Sequence, residues 1–161
     1  MNASELFLAA DVGGTHTRLS LYECEADLFN PAWHKSYKIS GPESFISTLS
    51  HFFDDIDQKP QIVCRAVISV AGPVSKGMAR MTNQDRVIKI SEIQNYLECS
   101  DVNLVNDLEA WAHSLPHLRK EDLHVLNQGV DDPEGIKACI APGTGLGESV
   151  LIRHRPKTLP L

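Results

Sequence analysis

The chain is short of basic residues, of cysteine and of long apolar runs, and each shortage removes a class of function. Lys and Arg number 15 against 21 Asp and Glu, a formal net charge of −6. A mean field of that sign repels nucleic acid and acidic membrane surfaces as general partners. No apolar stretch approaches the roughly 20 residues that cross a bilayer. The first Lys or Arg is Arg18, so the leading residues lack the positive segment of a secretory signal. Together these features are read as a soluble, cytoplasmic protein with no nucleic-acid partner and no membrane partner. The cysteines, Cys24, Cys64, Cys99 and Cys139, are scattered without any C-x-x-C; buried free thiols are expected in preference to disulfides or zinc.

What is present is ordinary globular material. Hydrophobic residues make up 42% and charged residues 22%, which excludes disorder, coiled coil and collagen. A chain of 161 residues can bury roughly 70% of its unfolded surface.

The distinctive feature is a strand–glycine corner–strand that occurs twice. Leu6 to Val12 and Leu19 to Glu23 flank Gly13-Gly14-Thr15, and Ile136 to Ala141 and Glu148 to Ile152 flank Gly143-Thr144-Gly145-Leu146-Gly147. Glycines where an apolar strand turns let backbone N–H groups approach an anion with no Cβ between. Thr15, His16, Thr17 and Thr144 add side-chain donors. Two such corners suit one polyphosphate. The second corner is no P-loop, because no Gly-Lys-Ser/Thr follows, and no Rossmann fingerprint, because strand rather than helix comes next. Asp11, at the mouth of the first corner, would repel phosphate unless a cation stood between them, which predicts Mg²⁺ held partly through water.

Between the corners the periodicities alternate between strand and helix. A third extended segment is expected near Trp33 to Ile39. Phe45, Ile46, Leu49, Phe52, Phe53 and Ile56 recur at helical spacing, with Pro42 in the first turn. Ile62 to Val70 is a β-branched run that predicts a central strand covered on both faces. Arg86 to Ile90 alternates as a half-exposed strand, and Ser91-Glu92-Ile93-Gln94 has the form of a capping box. Val102 to Val105 reads as a buried strand. Asn106-Asp107 follows it directly, before Leu108, Trp111, Ala112 and Leu115 at helical spacing, with Trp111 expected in the core.

A strand-to-helix junction at the carboxyl end of a strand is where open α/β sheets place ligand groups. Asp107 there can accept a proton from a substrate hydroxyl as that oxygen attacks a γ-phosphoryl group. Helix capping by Asn106 or Asp107 is the plainer role, and the two are compatible. Thr82-Asn83-Gln84-Asp85 is a polar turn able to bond a polyol. His113 and His117 stand four apart, but Pro116 interrupts the helix and no third metal ligand is evident.

Asp11-Val12-Gly13-Gly14-Thr15, Met81-Thr82-Asn83, Val105-Asn106-Asp107-Leu108-Glu109-Ala110 and Ala141-Pro142-Gly143-Thr144-Gly145-Leu146-Gly147, in this order, resemble the bacterial glucokinase family of the hexokinase/actin-like ATPase superfamily. The resemblance implies an α/β, ribonuclease-H-like domain with a mixed sheet over 1–115, then a connector and the start of an incomplete second such domain over 116–161. It implies ATP and Mg²⁺ as cofactors and glucose as the sugar, phosphorylated at its 6-hydroxyl. Position by position, Asp11, Gly13, Gly14, Thr15 and His16 would serve the first phosphate loop, and Gly143, Thr144, Gly145 and Gly147 the second. Asn83, Asn106 and Asp107 would hold glucose, with Asp107 as the base. His16 departs from the Asn common at its position.

The resemblance also implies further sugar and adenosine ligands that this sequence lacks. The chain alone is therefore expected to be weakly active or inactive, with a homodimer or a second polypeptide completing the site. A non-catalytic sugar-binding or regulatory module on the same fold is the alternative expectation.

Overall fold

The computed structural model describes residues 5–25, 28–39, 43–81, 86–130, 132, 135–142 and 146–152. The chain divides into two compact units, Met1–Asp107 and Leu108–Leu161.

The first unit is built on a five-stranded mixed sheet in the order β3-β2-β1-β4-β8. Strands β1 (Glu5–Val12), β2 (His16–Glu25) and β3 (Leu28–Lys38) form an antiparallel meander. β3 begins earlier than the alternation predicts. Pro31 pairs with Tyr22 beside the register shift between Leu21 and Tyr22, and a strand at a sheet edge tolerates a residue that cannot donate to a ladder. Strands β4 (Val63–Val70) and β8 (Val102–Asn106) then add in parallel.

The helices cover one face of this sheet. Helix α1 (Phe45–Asp55) is opened by Ser44, whose side chain accepts from the Ser47 N–H at 3.1 Å. Pro42, expected in the first turn, precedes that cap and lies outside the described residues. Helix α2 (Ile90–Leu97) also departs from expectation. It starts one residue before Ser91, after Lys89, with no side-chain cap bond. The Ile90 N–H instead donates to the Gly77 carbonyl at 2.9 Å, and with Ser91 inside the helix the box does not form.

A single core joins these elements. Leu8, Val12, Leu19, Leu21, Ile68 and Val70 of the sheet meet Leu49, Phe52 and Phe53 of α1 and Ile93 and Leu97 of α2. The Phe53 and Tyr96 rings link the two helices at 6.4 Å between centroids. The period-2 pattern of the strands puts these side chains on one face.

The opposite face corrects two expectations. β4 is an interior strand, but Arg65 and Val67 are exposed, so it is covered on one face only. Phe7, Ala9, Phe29 and Val67 line an apolar groove of about 390 Å³ there, with Phe29 edge-on to Phe7 at 5.2 Å. β8 is the last strand of the sheet and buries alternate residues rather than all. The cysteines are free, as expected, but only Cys99 is buried; Cys64 is exposed at the register shift between β1 and β4.

A small antiparallel sheet, β5 (Val74–Ser75), β6 (Met78–Arg80) and β7 (Val87–Lys89), precedes α2. Its first hairpin turns at Lys76 and Gly77, both with positive φ, the backbone that two-residue hairpins require.

In the second unit, helix α3 (Asp107–Ser114) continues into 3₁₀ turns at Leu115–His117 and Lys120–Asp122. The hairpin of β9 (Lys137–Pro142) and β10 (Leu146–Leu151) follows, where the second strand–corner–strand was expected. Trp111, expected in the core, is 57% exposed, and Ala112 is the buried residue of α3. A two-stranded hairpin offers too little apolar surface to cover such a stripe. No helix among the described residues is long and apolar enough to cross a membrane.

Candidate functional site

The register of the main sheet brings three strand ends into a row. Val12 of β1 lies beside Val70 of β4, and Val70 lies beside Asn106 of β8. These strands are parallel, so the first glycine corner and the Asn106-Asp107 junction emerge from the same edge. At about 4.8 Å per strand, Val12 and Asn106 stand roughly 10 Å apart. The Ala71 N–H donates to the Val12 carbonyl at 3.0 Å and extends the row by one residue.

The first corner is a short, well-tied loop. The ladder between β1 and β2 runs up to the pair Val12 and Thr17. The Gly13 N–H donates to the His16 carbonyl at 3.0 Å, and the Ile39 N–H donates to the Thr15 carbonyl at 2.9 Å. The Gly13 amide is therefore engaged within the loop rather than offered outward. His16 Nδ1 and Thr15 Oγ1 are 3.1 Å apart, which places both polar groups on one exposed tip. Gly14 is exposed, and a Cβ built on it would meet nothing within 4 Å. Neither Gly13 nor Gly14 has positive φ. Backbone strain thus does not require a glycine at position 14, and the space a Cβ would take there is open.

Asp11 is matched by Arg18, its partner in the ladder register, with Nη1 to Oδ2 at 2.8 Å and both side chains about half exposed. Arg18 thus supplies positive charge beside the carboxylate that was expected to need a cation. Among the described residues there is no group of three His, Cys, Asp or Glu side chains suited to hold a metal ion. Asp11 fits Mg²⁺ only in the manner of an ion carried by substrate phosphates and water, with one carboxylate nearby.

At the junction, β8 ends at Asn106 and α3 begins at Asp107 with no intervening loop. The Asn106 side-chain amide donates to the Gly72 carbonyl at 3.0 Å, fixing its rotamer. Gly72 is itself dictated by packing, since a Cβ there would lie 2.3 Å from the Arg80 carbonyl oxygen. Asp107 is partly buried at the start of the helix, where a carboxylate is favoured by the orphan N–H groups of the first turn.

The other expected site residues fall elsewhere. Asn83, Gly143, Thr144 and Gly145 lie outside the described residues. Gly147 sits within β10, where a Cβ would come within 2.9 Å of the Leu108 side chain, so close packing accounts for this glycine. The sequence reading missed Gly72 as the anchor of Asn106. Its only local signal was the Ala71-Gly72-Pro73 break after β4; the approach of Arg80 is a long-range fact.

A five-stranded mixed sheet with helices on one face and strand ends gathered at a helix start is an arrangement found in known glucokinases. The crystal structure of a glucokinase from an Antarctic psychrotroph shares it with a TM-score of 0.79 at 27% identity, over 92% of this chain and 47% of that one. A ROK family transcriptional regulator shares the fold with a TM-score of 0.65 at 18% identity, over 94% of this chain and 37% of the regulator. The glucokinase of Nostoc punctiforme is 32% identical over 150 residues, which covers 92% of this chain and 43% of that protein. The glucokinase of Caulobacter sp. strain K31 is 28% identical over 164 residues, covering 100% and 48%. The glucokinase family model matches residues 8–161, and the chain belongs to the glucokinase family. It spans a little under half the length of these curated relatives.

Proposed function

We propose that this chain carries one side of an ATP-dependent hexose kinase site with Asp107 as its general base. Asp107 takes the proton of the glucose 6-hydroxyl as that oxygen bonds to the γ-phosphorus of ATP; the bond from phosphorus to the β,γ-bridging oxygen breaks and ADP leaves with its electron pair. The observation that carries the reading is the placement of Asp107. It follows a parallel strand without a loop, beside an Asn held by Gly72, in the same row of strand ends as the first glycine corner.

The parts divide as their chemistry allows. Gly14 leaves room for a phosphate to reach the main chain, and Thr15 and His16 offer donors at the same tip. Arg18 offsets the charge of Asp11, which lets an anionic substrate carrying Mg²⁺ approach. Asn106, oriented by its bond to Gly72, would contribute a contact to a sugar hydroxyl. Asn83 would contribute a further sugar contact, and Gly143, Thr144 and Gly145 a second phosphate contact. Cytoplasmic location and glycolytic use accompany this reading.

The chain is expected to turn over weakly or not at all by itself. Catalysis by positioning needs groups on both sides of a bound substrate, and losing one side forfeits a term that can reach roughly 7–11 kcal/mol. A second polypeptide or a homodimer would restore it. A coupled assay for glucose 6-phosphate on the purified chain tests this: negligible turnover is expected, and an ordinary kinase rate that survives Asp107→Asn would overturn the assignment. Calorimetry separates the non-catalytic alternative, which requires glucose binding indifferent to ATP and to Asp107.

A further inference from the structure

The face of the main sheet that packs on α1 encloses a cavity of about 200 Å³ that the kinase reading does not use. Thr17 of β2, Tyr37 and Lys38 of β3, Thr48 and His51 of α1, and Arg86 ahead of β7 line it. Arg86 is 7% exposed and Thr17 is 0% exposed. Among the described residues the Nε and Nη1 groups of Arg86 and the hydroxyl of Thr17 have no hydrogen-bond partner. The remaining nitrogen, Nη2, reaches only the Thr48 hydroxyl at 3.4 Å.

A guanidinium taken out of water is ordinarily matched by an anion with full hydrogen bonding. Arg86 makes no ion pair with the described residues. Glu43 lines the same cavity but is exposed and acts on Arg86 only at a distance. Burial lowers the pKa of Arg86 and Glu43 partly opposes that, the pattern of a cation short of a close counter-charge. Tyr37 is already committed, donating to Asp55 at 2.7 Å.

We propose that this cavity is an anion site for a phosphate group, with Arg86 and Thr17 as its inner ligands and Lys38 at its mouth. Two fixed cations, Arg86 and Lys38, face one carboxylate, Glu43, so the cavity favours a dianion. The open donors come from β2, β3 and the segment ahead of β7. Arginine with a hydroxyl beside it suits the oxygens of a phosphate. The phosphate is either the free ion or the head of a small phosphomonoester. The site is distinct in composition from the glycine corner, since Thr17 points to the helix-covered face and Thr15 to the exposed tip.

The test is calorimetric titration of the full chain with inorganic phosphate and, separately, with glycerol 3-phosphate, against sodium chloride of equal ionic strength. Binding of phosphate with Arg86→Met raising the dissociation constant roughly ten- to a hundredfold, the loss of charge-assisted bonds, supports the proposal. Thr17→Val, which keeps the shape and removes the hydroxyl, is expected to weaken binding a few-fold and carries the test if the Arg86 variant fails to fold. Tighter binding of the ester identifies a phosphomonoester, and its exclusion identifies the free ion. Binding that is absent, or unchanged in both variants, overturns the site.

Discussion

The side-chain amide of Asn106 donates to the main-chain carbonyl of Gly72 across 3.0 Å, and that bond ties the end of β8 to the exit of β4. It sets the residue before the proposed base against a fixed piece of backbone. Asn106→Ala is expected to cost about 1 kcal/mol of stability, the net worth of such a bond. Asn106→Asp should cost more, because a carboxylate would face a carbonyl oxygen. Urea unfolding of the three proteins checks the order.

Gly72→Ala is expected to be among the most damaging single substitutions. Its Cβ would lie 2.3 Å from the Arg80 carbonyl oxygen, and neither strand end can yield without moving backbone. A loss of about 1–3 kcal/mol or more follows from overpacking of this kind. An unfolding midpoint equal to that of the parent chain would contradict the close approach.

Gly14→Ala separates structural from functional need for the corner glycine. With open space around the new Cβ and no positive φ, stability should stay within about 0.5 kcal/mol. Under the proposed kinase site affinity for Mg-ATP should fall, because the added methyl group would stand where the nucleotide phosphate is proposed to approach. Unchanged nucleotide affinity would remove Gly14 from the site.

The pH response of the first unit is set partly by Asp55. Its carboxylate is held below its ordinary value of 3.8, first by the hydrogen bond from Tyr37 and then by Lys35. The folded chain therefore binds that proton less readily than the unfolded chain. The stabilisation is complete above the unfolded value and is lost as pH falls through the lower folded one. Tyr37→Phe should raise the Asp55 midpoint toward 3.8 and flatten the acid limb of the stability curve, read by carboxyl-carbon NMR and acid unfolding.

How much of this was legible in the sequence depended on the range of the interactions involved. The alternation around Gly13-Gly14-Thr15 and the stripe from Phe45 to Ile56 are local, and both elements formed where expected. Asn106-Asp107 could be placed at a strand–helix junction because the period changes there. The readings that failed concerned what lies opposite a residue. Trp111 and Val67 look like core by type and spacing, yet each needs a partner surface that the described chain does not bring. The box at Ser91 lost to the contact of Ile90 with Gly77, which starts the helix earlier. Arg86 read as one end of a half-exposed strand; its burial beside Thr48 is a tertiary fact with no local trace.

Mapping where the two substrates touch the chain tests the central claim most directly. In ¹⁵N-labelled protein titrated with glucose and then Mg-ATP, glucose should shift the amides of Asn106 and Asp107, and nucleotide those of Gly13 to His16. Shifts confined to other surfaces, with the Asp107 junction and the glycine corner silent at saturating substrate, would contradict a kinase site built on Asp107.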